Sequence, residues 1–397
     1  MKILVINAGS SSLKYQLFDM TTGDVLVKGL CERIGSGGEI THKRPDAEPY
    51  KTEADFPTHD EALAMVLDLL VSDEHGVIDS IDEIGAVGHR IAHGGEKYKQ
   101  STPIDDEVIA YLETIVPINP LHGPPAIKGM KACRRLMGDT PQVGVFDTSF
   151  YSNMEDFRTI YPIPYELYEE NKIRRYGFHG TSHRYVSAKA AEILGKPIED
   201  LKIVTCHLGN GSSITAVDKG IAIDTSMGFT PQEGVPMGTR SGTIDPTVIP
   251  YIMKAKNLTV DEVEDLLNRK SGLLGVSGIS NDNRDVVAAA KDGNERAALA
   301  ISMQRYQIAK FVGSYLAAMN GADAIVFTGG IGENDSELRE VVCSYLEFAG
   351  VKISADANKQ RGAETCISTD DAKISVYVIP TNEELVIARD TLRLTSK

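Results

Sequence analysis

The sequence is short of positive charge. Its 397 residues carry 41 Lys and Arg against 56 Asp and Glu, a formal net charge of −15. A surface of that sign repels nucleic acid and anionic lipid, which argues against both as partners. A polyanion that binds here must be met by a few locally placed cations or by a metal. Cysteine is sparse too. Cys31, Cys133, Cys206, Cys343 and Cys366 are scattered and form no Cys-x-x-Cys pair, so reduced thiols in a cytosol are the simpler reading. No apolar run approaches the roughly 20 residues of a membrane span. The N-terminus lacks a secretory pattern, and there is no low-complexity tract or long charge block. What is present is a globular composition, 42% hydrophobic and 24% charged, long enough for at least two domains.

The chain opens MKILVINAGSSSLKYQLFD. Ile3 to Ile6 predicts a buried strand, and Leu13 to Phe18 a second one with Lys14 near its start. Asn7-Ala8-Gly9-Ser10-Ser11-Ser12 joins them. Such a turn lets backbone N–H groups and hydroxyls converge on an anion, because no large side chain blocks the approach. An ordinary Ser-rich hairpin turn fits the same residues. The plan recurs about half a chain later, where Lys202 to Val217 repeats strand, turn (Gly209-Asn210-Gly211-Ser212-Ser213) and strand. That recurrence predicts two related α/β domains able to hold the two ends of a polyphosphate. A boundary is expected near residue 150, where the aromatic, Pro-containing segment Phe150 to Tyr168 begins.

Strand ends carry the other candidates, because ligand groups gather beyond strand carboxyl ends in open α/β sheets. Ile84 to Val87 runs into Gly88-His89-Arg90-Ile91-Ala92-His93-Gly94-Gly95. There Arg90 reads as an anion clamp or as a solvated loop cation. Val143 to Phe146 ends at Asp147, a ligand group or an N-cap. His179 precedes a predicted helix, where a ligand contact and a structural role both fit. The glycine-punctuated segment Gly228 to Pro246 carries the isolated Arg240, and so long a loop is uncommon without a function. Ala322 to Phe327 leads into Gly329 to Asn334, with Asn334-x-x-Glu337 as the capping pattern. Thr381-x-x-Glu384 reads as a capping box for a last helix, Leu385 to Leu394, which leaves Glu383 for other work.

Three stretches, Asn7 to Lys14, Phe178 to His183 and Gly228 to Pro246, together resemble the acetokinase family of acetate, propionate and butyrate kinases. The likeness runs from Met1 to the final helix. It implies an α/β fold of two duplicated domains of the sugar kinase, Hsp70 and actin type, with nucleotide in the interdomain cleft. The expected domains are 1–148, joined by the C-terminal helix 384–397, and 149–383. It also implies a cytoplasmic homodimer and a reversible transfer, dependent on Mg²⁺ (Mn²⁺ as a substitute), from ATP to acetate, giving acetyl phosphate and ADP directly in line. Carried over by position, Asn7 and Glu383 place the metal. Lys14, Ser10, Ser12 and His207-Leu208-Gly209-Asn210-Gly211 match phosphate contacts. Asp282, Asn283, Arg284 and Gly330-Ile331-Gly332-Glu333-Asn334 match the adenosine side. Arg90 matches the acetate clamp, His179 and Arg240 the groups that stabilise the transition state, and Asp147 the essential acid. Ala92, Leu121, His122, Phe178 and Pro231 match the acyl pocket. Many members have Val where this chain has Ala92, so propionate kinase is an alternative. The segment Ser280 to Arg284 also departs from the commoner Ser-Ser-Asp-x-Arg. An actin- or Hsp70-like ATPase is the alternative from another class, and it would need no acyl clamp.

Overall fold

In the computed structural model, which describes residues 1–360 and 362–396, the opening run forms an antiparallel hairpin. β1 (Lys2–Ala8) pairs with β2 (Ser12–Asp19), and Asn7 stands opposite Lys14. β3 (Asp24–Glu32), β4 (Gly38–Lys43) and β5 (Tyr50–Ala54) extend the sheet on one side. On the other side lie β6 (Ile84–Ile91), the short β7 (Thr102–Pro103) and β8 (Gln142–Phe146), giving the order β5-β4-β3-β2-β1-β6-β8-β7. β1 is covered on both faces. Leu4 and Ile6 pack with the helices His59–Leu70 and Gly123–Met137, while Ile3 and Val5 pack with Ile387 and Ala388 of the last helix, Glu383–Thr395. Burial on both faces is why Ile3 to Ile6 reads as a continuous apolar run without polar alternation.

A second mixed sheet repeats the plan. β9 (Lys202–Leu208), β10 (Ser212–Asp218), β11 (Ile221–Thr225), β12 (Ala324–Thr328), β13 (Thr365–Cys366) and β14 (Ser375–Val378) stand in the order β11-β10-β9-β12-β14-β13. In each sheet the first strand of the hairpin has an antiparallel partner on one side and a parallel one on the other. The set β3-β2-β1-β6-β8 thus has the same order and directions as β11-β10-β9-β12-β14. Val204, Cys206 and Leu208 of β9 pack against Ile308, Val312 and Leu316 of the helix Glu295–Ala318. The fold is α/β, with two duplicated units. Sequence reading puts the unit boundaries at 148/149 and 383/384. The chain divides at 152/153 and 381/382, which joins Glu383 to the first unit.

Several local details differ from the sequence reading. β6 continues to Ile91, so Arg90 sits inside the strand and not in the loop after it. The helix Gly123–Met137 starts ahead of Ala126, with Pro124 and Pro125 in its first turn, where a missing N–H goes unnoticed. Asp335, not Asn334, caps the helix Ser336–Ser344, accepting from Leu338 N. Asn382, not Thr381, caps the last helix, accepting from Leu385 N. In both pairs each residue type is a competent cap, and only the one whose side chain meets the amide three residues on does the capping.

Burial beside β8 has a consequence for acid stability. His89 is buried, its Nε2 2.8 Å from Gln142 Oε1, and burial pushes its pKa down to about 4. The folded state therefore refuses a proton that the unfolded chain takes up below about 6.5. Stability from this group is complete above that pH and is lost as pH falls towards 4. The slope is about 1.4 kcal/mol per pH unit. Urea titrations between pH 6.5 and 4.5 should show this fall, and His89→Gln should make it shallower by about that slope.

Candidate active site

In the first unit three charged side chains meet at the carboxyl ends of two parallel strands. Arg90 lies opposite Val145 in the β6–β8 register, and Asp147 directly follows β8. Arg90 Nη2 donates to Asp147 Oδ2 at 2.9 Å, and Arg90 Nε lies 3.3 Å from Glu383 Oε2. Glu383 begins the last helix, which packs on β1, β6 and β8. Burial works against the Arg90 cation, but Asp147 and then Glu383 more than offset it, so the net shift is upward. Burial pushes the Glu383 carboxyl up to about 7; Arg90 and, more weakly, Lys14 oppose this, while Asp147 adds to it. Two carboxylates on one guanidinium fix its plane and leave the remaining donors of the fork for a ligand. Ala92 and His122 are half-buried, and Leu121 is 44% exposed.

The second unit gathers histidines and an arginine. His179 immediately precedes the helix Gly180–Leu194 and has φ of 56°, in the left-handed region. A side chain other than Gly pays in strain there, about 1 kcal/mol or more, and such outliers cluster at functional sites. Its Nδ1 is 2.9 Å from Ser213 Oγ. Ser213 Oγ is 2.7 Å from His183 Nε2, and His183 Nδ1 is 2.6 Å from Thr205 Oγ1. Burial holds His183 well below the ordinary histidine pKa, so its ring is neutral. The His179 and His207 ring centroids are 4.3 Å apart. At Gly211 a Cβ would stand 3.4 Å from both Arg240 Nη1 and His179 Cε1, so these two side chains close on the backbone of the turn.

Arg240 is half-buried. Its Nη1 approaches Pro231 O at 3.4 Å and Met237 Sδ at 3.9 Å. Among the described residues no carboxylate forms an ion pair with it. Burial lowers its pKa, yet a guanidinium stays charged at any physiological pH. A cation held out of water without a counter-charge is arranged to meet an anion. Phe178 packs with Met227 and Met237 beneath it.

A cavity of ≈ 930 Å³ in this unit brings together Gly209, Asn210, Asp282, Asn283, Arg284, Gly330, Ile331 and Asn334. Other expected residues of the same stretches stand behind that lining. Glu333 Oε1 accepts from Gly329 N at 2.9 Å and from Thr381 N at 3.3 Å, which ties the glycine turn to the end of the unit. Leu208 and Gly332 are buried. Sequence reading overlooked Asp335, whose carboxylate accepts from Asn283 Nδ2 at 3.1 Å while capping its own helix. It also overlooked Ser213 and His183 as supports of His179. The four-residue spacing of His179 and His183 was the available signal, since His183 N donates to His179 O at 3.0 Å across the first helical turn.

Two small-residue turns, a roomy cavity and a cation with no counter-charge among the described residues, carried on duplicated α/β units, are the features of a phosphotransferase. Comparison with known proteins narrows this further. Residues 2–389 match the acetokinase family, and the chain belongs to it. It is 56% identical over 396 residues to an acetate kinase from Thermoanaerobacter pseudethanolicus, with 99% of both chains covered. Among solved structures it superposes on an acetate kinase from Porphyromonas gingivalis with TM-score 0.95 and 48% identity, covering 99% of both chains. A propionate kinase from Francisella tularensis gives TM-score 0.93 and 41% identity over 99% of both chains.

Proposed function

We propose that the protein is an acetate kinase that passes the γ-phosphoryl group of ATP to acetate, giving acetyl phosphate and ADP, and runs the reaction in reverse. The observation that carries this reading is Arg240, a half-buried cation with no carboxylate partner among the described residues, converging with His179 on Gly211. Acetate has a side-chain-like carboxyl pKa of roughly 4–5 and is already ionised at neutral pH, so no general base is needed. The chemical problem is to bring two anions together in line, which is positioning and neutralisation. Arg90 takes the acetate carboxylate. Asp147, at 2.9 Å from Arg90, orients that guanidinium and takes no part in proton transfer. Arg240 and His179 meet the charge spread over the equatorial oxygens of the phosphoryl group in transit. The ≈ 930 Å³ cavity takes the adenosine.

The donors fit a Mg²⁺ site of the substrate-bridged kind. Among the described residues no cluster of three or more His, Cys, Asp or Glu side chains could hold a metal alone. Asn7 and Glu383 supply two hard oxygen donors, and Mg²⁺ commonly takes one or two protein oxygens together with water and phosphate. When bound, the ion would neutralise phosphate charge. Reduced Cys31, Cys133, Cys206, Cys343 and Cys366 support a cytoplasmic setting. No described helix is long and apolar enough to cross a membrane. A homodimer is supported by the exposed Leu299, Met303 and Tyr306 along one helix, with Tyr306 edge-on to Tyr345 at 5.8 Å. Light scattering should then give twice 43.1 kDa.

ATP, Mg²⁺, acetate and hydroxylamine should yield acetohydroxamate; ADP release that ignores acetate would point to a plain ATPase. Propionate is the second reading, favoured by the small Ala92 side chain. A methylene is worth only about 1–3 kcal/mol of discrimination, so kcat/KM should fall from acetate to propionate by no more than about 10²-fold. A propionate value above the acetate value would reverse the assignment of substrate. Arg90→Ala should raise the acetate KM more than it lowers kcat. It should also destabilise the protein by about 3 kcal/mol, because Asp147 and Glu383 lose their shared counter-ion. An unchanged acetate KM would remove Arg90 from the clamp.

A further inference from the structure

The turn after β1 has its carbonyls tied to the protein. His59 Nε2 lies 2.7 Å from Gly9 O. A carbonyl only accepts, so Nε2 carries the proton. Ile34 N donates to Ser11 O at 3.0 Å, and Gly9 N donates to Ser12 O at 2.8 Å. In a trans peptide the C=O and the following N–H point to opposite sides of the chain, and no peptide here is cis. Holding Gly9 O against His59 therefore turns Ser10 N–H the other way. Ser10 and Ser11 are exposed, so that side of the turn is open.

His59 is buried at the first turn of its helix, 50 residues from Gly9 in sequence. The helix does not need this bond. Thr58 caps it with a complete capping box through Glu61. Glycine is the residue at which the restraint matters, because without a Cβ the Gly9–Ser10 peptide can rotate at little cost. Rotation would present an oxygen where an amide now stands, and an oxygen repels an anion.

We propose that His59 is a positioning residue, which holds the Gly9–Ser10 peptide with its amide turned outward to receive a phosphoryl oxygen. This rests on reading the turn as a phosphate contact. His59→Leu should lower kcat for hydroxamate formation about 10- to 100-fold, a share of what one preorganised donor contributes, with acetate KM unchanged. His59→Gln places an amide nitrogen where Nε2 stands and should restore kcat to within about threefold. A second readout needs no turnover. The Ser10 amide ¹⁵N resonance should shift on titration with inorganic phosphate in the wild type and His59→Gln, but not in His59→Leu. Absent hydroxamate from the wild type would refute the functional reading, and the amide titration would still decide the role of His59. If His59→Leu does not fold, His59→Asn, whose amide falls short of Gly9 O, replaces it with the same expectations. A folded Leu or Asn variant with wild-type kcat, equal impairment in Gln, or an equal Ser10 shift in all variants would overturn the proposal.

Discussion

Arg240→Ala is expected to lower kcat by about 10³-fold or more while leaving the melting temperature nearly unchanged. The two halves of that expectation come from the same geometry. The Arg240 guanidinium hydrogen-bonds to Pro231 O at 3.4 Å and lies 3.9 Å from Met237 Sδ, and among the described residues no carboxylate pairs with it. Removing it orphans no carboxylate, so the penalty of a broken buried ion pair does not arise. On the proposed reading its worth lies in the charge it offers to the phosphoryl group in transit, in a site where burial already opposes its ionisation. Preorganised donors of this kind contribute 10²–10³ in kcat each, and a full charge does more. Arg240→Lys should recover little, since an ammonium cannot offer the planar fork. Arg90→Ala is the useful contrast, because there two carboxylates are left behind and stability falls. A folded Arg240→Ala protein with kcat within tenfold of wild type would remove Arg240 from the chemistry.

His179→Ala should also lower kcat by about 10³-fold. The ring is anchored at Nδ1 by Ser213, which leaves Nε2 on the Gly211 side. The backbone at φ 56° is the sharper part of the argument. Alanine inherits that strained conformation without the ring, and glycine inherits it without strain. His179→Gly should therefore be more stable than His179→Ala by up to about 1 kcal/mol, while both lose the same activity. Equal kcat loss with unequal melting temperature separates the chemical role of the ring from the backbone it sits on. Activity recovered in His179→Gly would show that the side chain had been needed only for the backbone.

The duplication could be read from the sequence because it is local. An apolar run, a turn of small residues and a second strand occur twice, and each is complete within about 17 residues. The two sheets add strands in the same order around these hairpins. The meeting of Arg90, Asp147 and Glu383 could not be read that way. Each was singled out separately, but the last helix arrives from the far end of the chain, and contacts between distant segments leave no periodic trace. The caps were misplaced by one residue for a different reason: Asn334 and Asp335, like Thr381 and Asn382, are equally good candidates by type. The left-handed backbone at His179 gave no sign in composition, since a histidine there is an exception to the usual Gly or Asn. His59 was invisible for a third reason. It sits inside an ordinary amphipathic helix pattern, and only its distance to Gly9 O sets it apart.

The central claim is that the phosphoryl group moves directly from nucleotide to a carboxylate held by Arg90, with cations placed to neutralise it in transit. A covalent carrier is the chemical rival, and Glu383 or Asp147 would be the residue to accept the phosphoryl group. The pairing of both carboxylates with Arg90 speaks for orientation and against that role. Stereochemistry decides between them. ATP made chiral at the γ-phosphorus should give acetyl phosphate of inverted configuration, as one in-line displacement requires. Retention would mean two displacements and a phosphorylated enzyme, and would contradict the account.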